Sequence, residues 1–303
     1  DTELNFYLAT GNTGLPLTDT FQVSLTSKGV TMDPNRMNKA VFRDLPSLIP
    51  LSDIWLVCRV IRRGGIGSKD TSKEFSKKEK DKVKKKEEIE LRRPVGMALL
   101  NVGSAGIKRG KDVDNMMPIY YPVKDESQHS NLFDLIQKKT KDIDLVPKST
   151  GISIGINMLT GNWDAISRAK ELEGASIANQ LTTEDDPLTS QPRNDFYITL
   201  KDADFSGSNA SAEVELMVCN SLGIPINNCI YFGVGLTNVH PKESYKSYTF
   251  IHNERPQWDE TICIRLTKEQ IMSGVFLLFH VRDFSSEKKD KTDKEKKKRK
   301  SAI

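Results

Sequence analysis

No apolar run in this 303-residue chain approaches the roughly 20 residues that a helix needs to cross a bilayer, so no membrane-spanning helix is expected. Cysteine is scarce. Cys58, Cys219, Cys229 and Cys263 lie in apolar segments without the C-x-x-C spacing of a zinc or redox centre, and are expected as reduced, buried thiols of a cytosolic protein. The four histidines, His129, His240, His252 and His280, are scattered, and neither a G-x-S-x-G elbow nor a phosphate-binding loop occurs. No catalytic residue, metal or cofactor is therefore expected. Asp1 stands where an initiator methionine would, with no charged-then-apolar leader after it, so we expect a piece of a longer polypeptide.

What is present is alternation. Leu4, Phe6 and Leu8 alternate with Asn5, Tyr7 and Ala9, and Phe21, Val23 and Leu25 repeat the pattern after the GNTG turn. Ile54–Ile61 is continuous and β-branched, as in a strand covered on both faces, and the glycines at 64, 65 and 67 are expected to end it. LRRPVGMALLNV (Leu91–Val102) resumes the sheet, and Gly151–Leu159 alternates strictly. Between them Leu132, Phe133, Leu135 and Ile136 have helical spacing behind Ser130, a candidate N-cap. The polar stretch 173–192 has no apolar period and reads as a linker between a first domain, 1–172, and a second, 193–303.

The second domain opens on RNDFYITL (Arg193–Leu200). Strands follow around Val214–Val218, Cys229–Val234, Tyr245–Ile251, Trp258–Leu266 and Val275–Val281, with a capping box at Thr267 and Gln270 closed by Gly274. Phe196, Ile198, Trp258, Ile264 and Phe279 are the expected core. The fold class is therefore mainly β: two antiparallel β-sandwich domains with short helices.

Positive charge is concentrated in two runs, Ser68–Lys86, within a basic insertion at 68–90, and Glu287–Lys300. Each carries nine basic and four acidic residues, 9 − 4 = +5, against a net charge of +4 for the chain. The first reads as a solvated loop. Gly64, Gly65 and Gly67 read as a turn, because no apolar-faced helix follows to complete a phosphate loop. Asp202, Asp204 and Asp283 could share one end of a sandwich, but the lysines around Asp283 oppose a cation, so solvated carboxylates are expected.

RNDFYITL, LMVCN with the later GVG, ESYKSYTF with PQWDETICI, and FLLFHVRDFSSEKKDK together resemble the C2-like homology region one of the dedicator-of-cytokinesis (DOCK) family. Upstream, IWLVCRVIR followed by a basic stretch and LRRPVGMALLNV resembles that family's N-terminal region, so the likeness covers nearly the whole chain.

The resemblance implies a non-catalytic fragment of a guanine-nucleotide exchange factor for Rho-family GTPases of Rac or Cdc42 type, the catalytic region lying outside these residues. It implies a second domain that is C2-like, incomplete at its C-terminus, and binds phosphoinositide through its upper loops, recruiting a cytoplasmic protein to the membrane periphery. GTPase and adaptor would be met by other parts of the parent, and no nucleic acid is expected. Phosphates need cations at short range, which points to Lys242 and Lys246, matching the family's second loop, and to Lys288, Lys289, Lys291 and Lys294 of the second run. The first upper loop departs from the family: Asp202–Ala210 contains no lysine. A structural scaffold without direct lipid binding is the alternative.

Overall fold

Strand β1 (Thr2–Thr10) sets the frame, because its two alternating faces enter two different cores. In the computed structural model, which describes residues 1–31, 38–43, 45, 48–65, 90–107, 110–124, 126–168, 172–181, 195–205, 211–234 and 241–284, β1 lies between β2 (Phe21–Leu25) and β4 (Ile54–Gly65). Strand β3 (Ala40–Phe42) pairs elsewhere. The sheet continues through β5 (Glu90–Asn101), β7 (Ile119–Pro122) and β8 (Ile143–Leu145) in the order β2-β1-β4-β5-β7-β8. On one face Leu8, Leu56, Cys58 and Phe21 pack under the antiparallel two-stranded sheet of β6 (Val113–Met117) and β9 (Ile152–Ile156), which contributes Met117 and Ile154. On the other, helix α1 (Leu132–Gln137) lays Leu132 and Phe133 on Tyr7, Ala9, Val57 and Met97. The apolar run of β4 is thus covered on both sides, as its composition requires.

A bulge in β5 resets the register of its first half. Val60 pairs with Gly96 and Ile61 with Pro94, so Val95 is the extra residue, and beyond it Arg92 rather than Arg93 stands opposite Arg63. Gly96 is required beside the bulge: a Cβ there would lie 2.5 Å from the Tyr120 carbonyl oxygen of β7.

Helix α2 (Trp163–Ile166) and strand β10 (Ser176–Ala178) complete the first unit. β10 pairs with β3 in parallel, and Leu181 donates to the Leu17 carbonyl at 2.8 Å. Residues 176–181 of the expected linker therefore belong to the first sandwich, while 182–194 lie outside the described residues. So does the whole first lysine run.

The second unit is a smaller sandwich. One sheet runs β11 (Asp195–Asp202), β15 (Gln257–Arg265), β13 (Ile230–Tyr231). The other runs β14 (Ser244–Lys246), β12 (Ala212–Asn220), β16 (Val275–Asp283). Leu216, Val218, Ile230, Tyr245, Ile262 and Ile264 fill the space between them. Helix α3 (Lys268–Met272) starts on the expected capping box: Thr267 Oγ1 accepts from the Gln270 N–H at 3.2 Å, and the Gln270 side chain accepts from the Thr267 N–H at 2.8 Å.

Three expectations need correction. Ser130 does not cap α1; its hydroxyl donates to the Ser127 carbonyl at 2.9 Å, because the preceding residues already turn as a 3-10 helix and put Asn131 at the cap position. β4 runs past Ile61 to end at Gly65, with Gly64 and Gly65 still paired to Leu91 and Glu90, while Gly67 lies outside the described residues. Of the five expected core residues, Trp258 and Ile264 are buried and Ile198 packs on the core, but Phe196 and Phe279 are each 45% exposed. Their inward phase is as expected, since Phe196 pairs with Ile264 and Phe279 with Leu216. They are open because β11 and β16 are the edge strands of their sheets, and no described strand lies beyond either.

His129, in the 3-10 turn Glu126–Asn131, is held down at about 4 by burial and by the cation of Arg93. A folded-state value below the unfolded one favours the neutral ring, so its contribution is complete above pH 6.5 and lost as the pH falls from 6.5 to about 4. Urea unfolding over that interval should show a stability decrease of roughly 1–3 kcal/mol that His129→Gln abolishes.

Candidate functional site

The face of the first sheet that α1 covers at one end turns polar at the other. Along β1 the phase Ala9, Tyr7 continues to Asn5 and Glu3; along β4, Trp55 and Val57 continue to Arg59, Ile61 and Arg63; along β5, Leu99 and Met97 continue, past the bulge, to Arg92. The second sandwich covers this polar end. Ile61 packs with Val214, Tyr248, Phe250 and Trp258 in one mixed core, and Arg59 donates from Nη1 to the Trp258 carbonyl at 2.6 Å.

Arg92 is the centre of the seam. It donates from Nε and Nη2 to Glu3 Oε2 at 3.1 and 3.0 Å, from Nη2 to Glu260 Oε1 at 3.2 Å, and from Nη1 to the Lys246 carbonyl at 2.6 Å. Its guanidinium carbon lies 4.7 Å from the ring centre of Tyr248 and 5.2 Å from that of Phe232. Glu3 gives its other oxygen, Oε1, to Arg63. Glu260 gives Oε2 to the Tyr245 hydroxyl and to the Tyr248 N–H at 3.3 Å. Burial works to raise the Glu3 carboxyl, but the Arg92 and Arg63 cations outweigh it and hold it below the ordinary value. Backbone bonds cross the seam as well: Thr249 N–H to the Arg92 carbonyl at 2.7 Å, and Val234 N–H to the Thr20 carbonyl at 2.7 Å.

The expected lipid-contacting lysines fall in different places. Lys242 is half-buried at the seam, near Glu3, Glu260, Arg63 and Arg92; burial depresses its amine, and the two arginines add to that. Lys246, on β14, is exposed and lies near Glu213. Lys288, Lys289, Lys291 and Lys294 lie outside the described residues, but the strand that leads to them is firmly tied. Ser211 N–H donates to Asp283 Oδ1 at 3.0 Å, and Phe284 N–H to the Ser211 carbonyl at 3.1 Å. The turn at 251–256 lies at the same end, through Ala203 N–H to the Pro256 carbonyl at 3.2 Å and His252 N–H to Ser211 Oγ at 3.3 Å.

The carboxylates weighed as a cation site do not converge: Asp283 holds Ser211, Asp204 pairs with Arg255 at 3.3 Å, and no metal-binding group of three forms among the described residues. Among those residues, too, no helix is long and apolar enough to cross a membrane.

Two family models match the chain. One, described as DOCK N-terminus, covers residues 1–178; the other, described as C2 domain in Dock180 and Zizimin proteins, covers 189–302. The chain belongs to the DOCK family. Over 97% of its length it is 27% identical to human dedicator of cytokinesis protein 3, and over 95% it is 25% identical to mouse dedicator of cytokinesis protein 4. The chain spans 14% of the length of each of these relatives. The first sandwich thus corresponds to the DOCK N-terminus and the second is C2-like.

Removing the Arg92 cation leaves buried Glu260 without its ion pair and Glu3 with Arg63 alone. Arg92→Met is expected to cost about 3–5 kcal/mol in urea unfolding. Arg92→Lys should recover only part of that, since an ammonium cannot reproduce the fork. Arg93→Met, which loses the exposed Glu126 pair and relieves His129 of a nearby cation, should stay within about 1 kcal/mol of the parent at neutral pH.

Proposed function

We propose that this chain is the membrane-reading part of a DOCK-family exchange factor, its C2-like sandwich binding phosphoinositide-bearing membrane and so placing a Rho-family exchange activity that resides elsewhere in the parent. The observation that carries this reading is the tied end of β16, together with the cations that follow it in the sequence. Phe284 is bonded to Ser211 at the sandwich end where residues 203–205 and the 251–256 turn meet, and the second run, with its nine basic residues, begins three positions later in the sequence. Near an anionic leaflet each such lysine contributes about 1 kcal/mol at most, less as salt screens it. On this reading the protein is cytoplasmic and peripheral to the membrane, while GTPase and adaptor engage other parts of the parent.

A second reading has its own observation. The Arg92 seam locks the two sandwiches together, which suits a scaffold holding neighbouring parts of the exchange factor in register, with both lysine runs merely solvated.

Vesicle co-sedimentation separates the two. Lys288→Glu, Lys289→Glu and Lys291→Glu combined should reduce binding to phosphoinositide vesicles roughly a hundredfold at low salt. Deleting residues 68–86 should leave it intact. Binding lost only on that deletion, or unaltered in high salt, would favour the scaffold. Nucleotide release from Rac or Cdc42 should proceed at its intrinsic rate with this chain added; acceleration would refute a non-catalytic assignment.

A further inference from the structure

The edges of the second sandwich are guarded unequally. Strands β13 and β14 are two and three residues long, and β11 carries Asp195, Lys201 and Asp202 with a register shift after Leu200, all devices that discourage pairing with another chain. β16 has none of them. It pairs with β12 without interruption over nine residues, contains no proline, and has no acidic, lysine or arginine side chain before Arg282. Phe276, Leu277, Leu278, Phe279 and Val281 are each between 43 and 59% exposed, so apolar surface stands open on both faces of this one edge.

The edge is open in its backbone as well. Phe284 N–H donates to the Ser211 carbonyl at 3.1 Å, and the groups facing a neighbour alternate along an antiparallel strand, so Val275, Leu277, Phe279 and Val281 turn their N–H and C=O groups outward, where no described strand lies. A lipid surface would cover the side chains but leave these backbone groups stranded, whereas a β-strand serves both. The edge is also accessible. The first sandwich attaches through Val234, Thr249 and the Lys246 carbonyl, on the side where the Ile230–Lys242 bridge joins β13 to the segment before β14. Strand order puts β11 and β16 on the opposite side, with the half-exposed Phe196 and Phe279 on its two lips.

We propose that β16 pairs antiparallel with β16 of a second copy of this chain, about a two-fold axis at Phe279, joining two three-stranded sheets into one of six strands. In that register Leu277 meets Val281 of the second copy, Leu278 meets His280, and Phe276 meets Arg282, so no like charges stand opposite each other. Leu277, Phe279 and Val281 of both copies then form one apolar stripe on the inner face. The contact uses the same edge on each copy and therefore closes at a dimer. The five apolar side chains offer on the order of 400 Å² per copy, so two copies with their backbones approach the roughly 1,000 Å² at which specific association begins. The two Phe284 residues, after which the basic runs follow in sequence, stand at opposite ends of the shared strands, about 30 Å apart and well beyond the screening length of about 8 Å.

The test uses the whole chain. Sedimentation velocity across the micromolar range should show a monomer–dimer equilibrium. Phe279→Lys, which sets two ammonium groups opposite each other, should raise the dimer dissociation constant about tenfold or more, and Phe279→Leu should change it less than about threefold. Should Phe279→Lys disturb the fold, single cysteines read the register independently. Phe279→Cys places two thiols directly opposite at a Cα separation of about 5.5 Å, which a disulfide spans, so mild oxidation should link the copies; Val275→Cys puts its thiols at the two far ends and should not. The parent chain, with three of its four cysteines buried, supplies the background for this measurement.

A chain that stays monomeric throughout the micromolar range overturns the pairing and leaves β16 to a strand of a different polypeptide. So does a dimer indifferent to Phe279→Lys, or one that links through Val275→Cys as readily as through Phe279→Cys.

Discussion

The two sandwiches depend on one buried cation. Arg92 comes from the first sheet, yet its guanidinium lies among Phe232, Tyr245, Tyr248 and Glu260, all of the second. A charge in that position is tolerable only because each of its nitrogens meets an oxygen, two of them carboxylate, and because aromatic faces surround it. The bulge at Val95 is what makes this possible. Without the extra residue Arg93 would stand opposite Arg63, and Arg92 would face away from the seam. A local irregularity in one strand therefore decides how two domains meet.

Much of the fold is legible in the sequence because it rests on period-two patterns. The phase of β15 is plain in Trp258, Ile262 and Ile264, and the capping box at Thr267 and Gln270 is a local motif that the backbone obeys. Phe196 and Phe279 show the limit of such reasoning: alternation tells which face a residue takes, whereas burial depends on whether something lies across from it. The first helix shows another. Ser130 has the right chemistry for a cap, but the 3-10 turn before α1 moves the cap position one residue on.

The seam is the least legible part, for a physical reason. Its ion pairs join residues 89 and 168 positions apart, and no local pattern specifies a partner at that distance. A trace is nonetheless present. Glu260 sits in phase with Trp258, Ile262 and Ile264, and a carboxylate on the apolar phase of a strand implies a buried cation somewhere. Family resemblance points to Lys242 as a loop cation; its half-buried place beside Glu3 follows from the contact of the two units, which neither unit's sequence encodes alone.

Main-chain bonds between units have a thermodynamic meaning of their own. The Thr249 amide closes on Arg92, and Val234 exchanges bonds with Thr20 and Gln22, so peptide groups of each sandwich are satisfied only when the other is folded. Separation would expose these groups along with the mixed core around Trp258. Cooperativity then extends across the boundary that family matching draws between residues 178 and 189. Family models divide the chain in two, but heat should see one unit: a single calorimetric transition whose enthalpy belongs to both sandwiches at once.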